Sequence, residues 1–184
     1  YSHATLQILP QCHLNNKVVH QKKEVGFIAN NGKNVRSDLI SFLGKTAKDK
    51  TLVFIYLGEH GTHTVNWENL RDNKDCLFIT RDPIEHPAIH FLDEKFSYHD
   101  LIASSDIIFT KGGYSTLATA FANHKPVVTC ERNDFYEFEA VREYLQKRQI
   151  GIIIKNTPFR QGDWQEPIKE ALKLTVKNKI PLNG

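Results

Sequence analysis

A pair of glycines past the middle of the chain is the feature best suited to binding chemistry. Gly112 and Gly113 follow Lys111 at the point where a short run of branched and aromatic residues stops. Glycine exposes bare backbone and accepts a positive φ, so a ligand can approach main-chain N–H groups there. Ser115 and Thr116 then begin a predicted helix, whose first N–H groups and positive dipole end favour an anion, most often a phosphate. The spacing therefore predicts a phosphate-binding turn, with Lys111 as an added positive charge.

The same residues also fit a plain turn between a strand and a helix, because glycine interrupts regular structure in every class of fold. The flanking sequence favours the binding interpretation. Lys125 and Pro126 lead into a second short apolar segment, residues 127–129, and Arg132 and Glu137 follow where that segment ends. Two neighbouring strands would then end in polar residues at one edge of a sheet.

A second glycine-bearing loop follows the most apolar strand candidate of the chain. Residues 51–57 carry no charge and are predicted to form a central strand. Gly58, His60 and Gly61 come directly after it, and a helix is expected over residues 65–71. This loop is a second candidate binding element, with His60 as a hydrogen-bonding group for a sugar or a phosphate. A plain strand-to-helix turn is again the alternative.

Strand and helix patterns alternate along the whole chain. Strands are predicted over residues 24–29, 51–57, 75–80, 88–92, 107–109, 127–129 and 151–154. Alternation of this kind predicts an α/β fold, a Rossmann-like parallel sheet of about six or seven strands with helices on both faces. Ligands of such sheets bind beyond the carboxyl ends of the strands, where the strand order reverses, so both glycine loops are expected to meet there.

The composition limits the classes of function. The chain has 184 residues, 40% hydrophobic and 24% charged, and its formal net charge is only +3. Acidic residues are interspersed with the basic ones, so no nucleic-acid partner is predicted. No apolar run reaches the roughly 18 residues of a membrane span, and no signal-peptide pattern opens the sequence, so a cytoplasmic location is expected. The cysteines and histidines lack the spacing of a metal site, and no bound metal is expected.

The residues around both strand ends resemble the C-terminal, nucleotide-sugar-binding half of GT-B glycosyltransferases. The segment looks most similar to the N-acetylglucosaminyltransferases that make lipid II and to the glycosyltransferase-like domain of plant arabinokinases. The resemblance rests on three motifs: Lys111-Gly112-Gly113-Tyr114-Ser115-Thr116, Arg132 with Phe135 and Glu137, and Gly162-Asp163-Trp164. It implies one Rossmann-like half of a GT-B fold over residues 24–184. Residues 1–23 would be a connector from an upstream Rossmann-like domain.

The resemblance also implies an activity. The chain would be the donor-binding domain of an inverting, metal-independent glycosyltransferase that uses a nucleotide-diphosphate sugar, with UDP as the favoured nucleotide and no further cofactor. The base that deprotonates the acceptor would lie on the other half. Arg132 matches a basic position next to the phosphates, and Glu137 lies near the residue that family members direct at the donor sugar. Contacts to the diphosphate are implied for Gly112, Gly113, Ser115 and Thr116.

One position departs from the family pattern. Thr119 replaces a glutamate with which many members bind the ribose hydroxyls. A threonine hydroxyl can accept one hydrogen bond, but it cannot chelate a diol as a carboxylate does. The substitution favours an alternative function, a glycosyltransferase-like sensing or scaffolding module without turnover. A nucleotide-sugar epimerase of the same fold is a further alternative.

Overall fold

The computed structural model describes residues 3–14, 18–44, 47–176 and 180, except for the side chains of Glu59 and His60. Within these ranges the strands are, in chain order, β1 (Gln7–Leu9), β2 (Lys22–Glu24), β3 (Thr51–Tyr56), β4 (Cys76–Thr80), β5 (Ile89–Phe91), β6 (Ile107–Thr110), β7 (Val127–Cys130) and β8 (Gly151–Ile154). The α-helices are α1 (Arg36–Leu43), α2 (Glu59–Thr62), α3 (Tyr98–Ser104), α4 (Tyr114–Ala122), α5 (Phe138–Arg148), α6 (Asn156–Gln161) and α7 (Gln165–Leu172). A 3-10 helix spans Trp67–Asp72.

The main sheet has six parallel strands in the order β5-β4-β3-β6-β7-β8. The chain runs from β3 outward through β4 to β5, returns to the other side of β3 to form β6, and continues outward through β7 to β8. The strand order therefore reverses between β3 and β6. Strand β3, which was predicted to be central, lies inside the sheet beside β6, and the predicted parallel α/β fold is confirmed.

Side chains that alternate along the central strands supply two hydrophobic cores, one on each face of the sheet. Phe54 and Ile108 point to one face, where they pack with Leu117 and Phe121 of α4 and with residues of α1, α3 and α5. The neighbours of Phe54 and Ile108 along the strands point to the opposite face and pack with α6, α7 and the 3-10 helix. Side chains buried on both faces explain why β3 and β6 read as continuous apolar runs instead of alternating ones.

The predicted strand over residues 24–29 is wrong. Lys22–Glu24 instead pairs with Gln7–Leu9 in a separate two-stranded parallel sheet, within the segment predicted to be a connector. Just beyond it, the Val25 N–H still donates to the Leu9 carbonyl of β1 at 3.0 Å, and two further backbone groups bond to side chains. The side-chain nitrogen of Gln11 donates to the Val25 carbonyl at 3.0 Å, and the Ile28 N–H donates to the Tyr114 hydroxyl at 3.3 Å. The proposed boundary between residues 23 and 24 stays a prediction.

Two helical details also differ from the sequence prediction. The helix expected over residues 65–71 is the 3-10 helix, which begins after Asn66, and the side-chain oxygen of Asn66 accepts the Glu68 N–H at 3.3 Å. The short α2 precedes it. Helix α6 was not predicted at all; Pro158 lies in its first turn, where proline is tolerated because the backbone N–H needs no helical partner.

Trp164 provides a test of the second core. It is 0% exposed, its ring lies 4.3 Å from that of Phe109, and its indole nitrogen donates to the Phe159 carbonyl at 3.0 Å. We expect Trp164→Ala to lower the free energy of unfolding by about 3–5 kcal/mol, and Trp164→Phe to lower it by less. Urea denaturation measures both changes. Tyr136→Ala, at a site 84% exposed, is the control and should cost less than about 0.5 kcal/mol.

Candidate functional site

The two glycine loops meet at the edge where the central strands end. Tyr56 of β3 is the register partner of Thr110 of β6, so the two loops leave the sheet at the same level. A Cβ atom on Gly58 would lie 2.9 Å from the Nζ atom of Lys111. The meeting of the loops at the reversal of strand order is therefore as predicted.

The first turn of α4 is open toward solvent. Gly113 is the N-cap residue, and no side chain caps the helix. A Cβ atom on Gly113 would meet no heavy atom within 4 Å. The first N–H groups of a helix have no partners within the helix, so those of the residues after Gly113 are available to a ligand in this open space.

Gly112 has a different role from Gly113. Its φ is +80°, a value that side-chain-bearing residues rarely adopt. A Cβ atom there would lie 3.0 Å from the Thr129 hydroxyl oxygen and 3.2 Å from the Phe138 ring. The backbone therefore requires glycine at position 112, whereas at position 113 the protein itself leaves room for a side chain.

A cavity of about 630 Å³ lies beyond the ends of β3, β6, β7 and β8. Three predicted site residues line it: Gly61, Lys111 and Arg132. Asn156 and Arg160, which the sequence analysis missed, line it as well. The cavity thus carries three positively charged side chains, those of Lys111, Arg132 and Arg160.

Arg132 and Arg160 line the cavity together with Cys130, the last residue of β7. Burial raises the pKa of the Cys130 thiol, and the charges of Arg132 and Arg160 both oppose this rise. The Arg132 guanidinium lies 4.4 Å from the centre of the Phe135 ring, and its Nε atom lies 3.7 Å from a carboxylate oxygen of Asp134. The side chain of Asp134 is 78% exposed, so solvent weakens this ion pair.

Asp82 is a buried carboxylate that the sequence analysis did not identify. It is 4% exposed, and one of its oxygens accepts the N–H groups of Leu57 at 2.6 Å and Gly58 at 3.0 Å. Burial raises the pKa of Asp82, while these two hydrogen bonds and the charge of Lys111 lower it. Asp82 therefore holds the Gly58 loop in place. Its position just after a predicted strand was the signal that could have revealed it.

Tyr98 links the first turn of α4 to β3. Its hydroxyl donates to the Thr116 hydroxyl oxygen at 2.9 Å, and burial raises its pKa to about 12. Its ring packs edge-on against Tyr56, with the ring centres 4.9 Å apart. A small cavity of about 270 Å³ is lined by these two tyrosines, Arg81 and Asp82. Thr116 is thus held in place from the side opposite the larger cavity.

Three further predicted site residues, Ser115, Thr119 and Glu137, do not line the larger cavity. Ser115 is exposed in the first turn of α4. Thr119 is 4% exposed, and its hydroxyl donates to the Ser115 carbonyl at 2.8 Å. Glu137 is exposed at the start of α5 and does not line the cavity. The side chain of His60 lies outside the described residues.

Among the residues that the structure describes, no group of three or more His, Cys, Asp or Glu side chains could hold a metal ion. No helix within the same ranges is long and apolar enough to cross a bilayer.

Known structures share this architecture. Spinosyn forosaminyltransferase SpnP superimposes on 90% of the chain with a TM-score of 0.60 and 18% identity. Spinosyn rhamnosyltransferase SpnG complexed with thymidine diphosphate superimposes on 87% of it with a TM-score of 0.58 and 15% identity. The glycosyltransferase SnogD from Streptomyces nogalater covers 90% with a TM-score of 0.55 and 17% identity. The chain has the fold of one half of a GT-B glycosyltransferase.

Similarity at the level of sequence is weaker than similarity at the level of structure. No family model matches the chain. L-arabinokinase of Arabidopsis thaliana is 29% identical over 85 residues, which is 46% of this chain and 8% of that protein. The chain spans about half the length of the transferases, 46% of SpnP and of SpnG and 48% of SnogD.

The two glycines of the α4 turn should respond differently to alanine. Gly112→Ala forces a side chain into the left-handed region against Thr129 and should lower the free energy of unfolding by about 1–3 kcal/mol. Gly113→Ala places its methyl group in open space and should cost less than about 1 kcal/mol, the loss expected for a poorer N-cap. Urea denaturation of both variants measures the difference. Equal losses would contradict the geometry of this turn.

The raised pKa of Asp82 predicts a pH dependence of stability. An acid whose pKa is raised on folding stabilises the fold most below its unfolded pKa, and this contribution is lost as the pH rises through the folded pKa. Asp82→Asn keeps an oxygen for the N–H groups of Leu57 and Gly58 but cannot ionise. Wild type should therefore lose stability relative to Asp82→Asn as the pH rises above about 4, the usual pKa of an aspartate in the unfolded chain. Paired thermal melts across this range measure it, and a constant difference would contradict it.

Proposed function

We propose that this chain binds a nucleotide-diphosphate sugar, as the donor-binding domain of a GT-B glycosyltransferase. The observation that carries the proposal is the uncapped first turn of α4, which opens in front of Gly113 at the reversal of strand order. Ligands of open parallel sheets bind at this point, and a helix N-terminus there suits a phosphate group. The structural likeness to a rhamnosyltransferase complexed with thymidine diphosphate supports the same assignment.

The charges around this turn suit a departing diphosphate. The helix N-terminus supplies N–H donors and a positive partial charge, and Lys111 stands at the start of the turn, beside the Gly58 loop. Negative charge develops on the diphosphate as the bond to the sugar breaks, so fixed positive groups there stabilise the transition state. Arg132 adds a second cation on the neighbouring loop. In this mechanism protein side chains neutralise the leaving group without a metal cofactor.

The acceptor and its activating base are proposed to belong to a second Rossmann-like half. The chain matches about half the length of the transferases that share its fold, and a GT-B cleft is formed between two halves. We propose UDP or TDP as the nucleotide, the first from the sequence resemblance and the second from the SpnG complex. We also propose a cytoplasmic location, which the three free thiols of Cys12, Cys76 and Cys130 support.

A module that binds a nucleotide sugar without turnover is the second candidate. Two observations favour it: the similarity to a segment of L-arabinokinase, and the burial of Thr119, whose hydroxyl is already engaged by the Ser115 carbonyl. Both candidates require the same binding site. They differ in turnover. An assay of the full protein for release of UDP or TDP from the corresponding sugar nucleotides, run with and without added acceptors, therefore distinguishes them.

Gly113→Asp tests the binding site directly. An aspartate N-cap would accept the first N–H groups of α4 and complement the helix dipole, which should stabilise the fold by about 0.5–1 kcal/mol. The same carboxylate would occupy the anion position and repel a diphosphate. We therefore expect a variant that is at least as stable as wild type but binds the nucleotide at least tenfold more weakly.

Calorimetric titration of the full protein with UDP, TDP, GDP and ADP measures the affinity, and thermal melts measure the stability. Gly113→Ala is the matched control, because it leaves the N–H groups free and should keep most of the affinity. If folded wild type binds none of the four nucleotides, or if Gly113→Asp binds as tightly as wild type, the proposed function is wrong.

A further inference from the structure

The two sides of the α4 turn differ in chemistry. On one side lies the small cavity of Tyr56, Arg81, Asp82 and Tyr98, with two aromatic rings and a buried carboxylate. On the other side lies the larger cavity of about 630 Å³, which carries Lys111, Arg132 and Arg160. A nucleotide sugar with its diphosphate at this turn has a nucleoside on one side and a sugar on the other. The difference in chemistry between the two cavities therefore indicates which of them holds the nucleoside and which holds the sugar.

The aromatic side suits the nucleoside. Bases stack on aromatic rings, and such contacts are favourable for any base. This cavity also holds the Arg81 guanidinium beside the Asp82 carboxyl group, so it offers an anion fewer unopposed cations than the larger cavity does. An uncharged, flat base therefore fits the side of Tyr56 and Tyr98, which leaves the cationic cavity for the sugar.

The cationic cavity has more positive charge than an uncharged sugar needs. Asp134 is the one carboxylate among the described lining residues, and its side chain is 78% exposed and 3.7 Å from Arg132. The Arg160 side chain has no hydrogen-bond or ion-pair partner among the residues that the structure describes. Both arginines line the cavity together with Cys130, so their charges face the same space.

We infer that the donor sugar itself carries a carboxylate, as a hexuronic acid does, and that Arg160 binds it. This inference rests on the proposed function, because the diphosphate must lie at the α4 turn. Guanidinium groups bind carboxylates through paired, charge-assisted hydrogen bonds, which are stronger than those to a hydroxyl. Asn156 adds a hydroxyl-binding group: its amide nitrogen donates to the Glu131 carbonyl at 2.8 Å, which leaves its oxygen as an acceptor for the sugar.

The test compares UDP, UDP-glucose and UDP-glucuronic acid as ligands of the full protein by calorimetry, together with TDP, TDP-glucose and TDP-glucuronic acid. The two sugars differ only in a carboxylate in place of a hydroxymethyl group. We expect the glucuronic acid derivative to bind about tenfold more tightly than the glucose derivative. Arg160→Gln should remove this preference. It should change the affinity for the glucose derivative by less than about twofold, because the glucose unit offers Arg160 no charged group.

Arg71→Gln is the matched control, because it removes the same charge from a guanidinium that pairs with Glu68 outside this cavity. It should leave the preference intact. Equal binding of the glucose and glucuronic acid derivatives would overturn the inference while the proposed function stands. An equal loss of UDP and UDP-glucuronic acid affinity in Arg160→Gln would also overturn it, since Arg160 would then bind the diphosphate. If none of the six ligands binds, the proposed function fails first.

Discussion

The parallel, level pairing of β3 with β6 is the constraint on which the site depends. Four register pairs, from Val53 with Ile107 to Tyr56 with Thr110, bring the two strands to the same edge of the sheet. The chain leaves β3 toward one side and β6 toward the other, so the connections diverge and leave a crevice between the two loops. A slip of one residue would turn every buried side chain of one strand to the wrong face, which makes this register costly to change.

Carboxylates fix β3 at both of its ends. At the amino end, Asp106 accepts the Leu52 N–H at 2.7 Å and both of its oxygens lie 2.9 Å from a guanidinium nitrogen of Arg36. At the carboxyl end, Asp82 accepts the N–H groups of the residues that follow the strand. Asp106 directly precedes β6 and Asp82 follows β4, and both of these strands pair with β3. The loop that faces the α4 turn is therefore held in place before any ligand arrives, which lowers the entropy cost of binding.

The sequence predicted the central strands and the two glycine loops because their signals are local. An uncharged run of apolar residues and a glycine pair before a helix can each be recognised without knowledge of the rest of the fold. The false strand over residues 24–29 shows where such reasoning stops, since the Ile28 N–H donates to the hydroxyl of Tyr114, which is distant in sequence. Arg160 was missed for a related reason: its helix is short and contains a proline, so no hydrophobic periodicity marked it.

The structure also separates residues that the sequence had placed in one site. The α4 turn packs on one face of the sheet and the cationic cavity opens near the other, so the predicted residues fall into two groups. Lys111 joins them, because it follows β6 directly, lies against the Gly58 loop and lines the cavity. Next to it, the close contacts of Gly112 with Thr129 and Phe138 fix the path of the backbone from strand to helix. A ligand that reaches from the helix N-terminus to the cavity must therefore pass Lys111. The charge of Lys111 then lies beside the middle of the ligand, between the part at the helix and the part in the cavity.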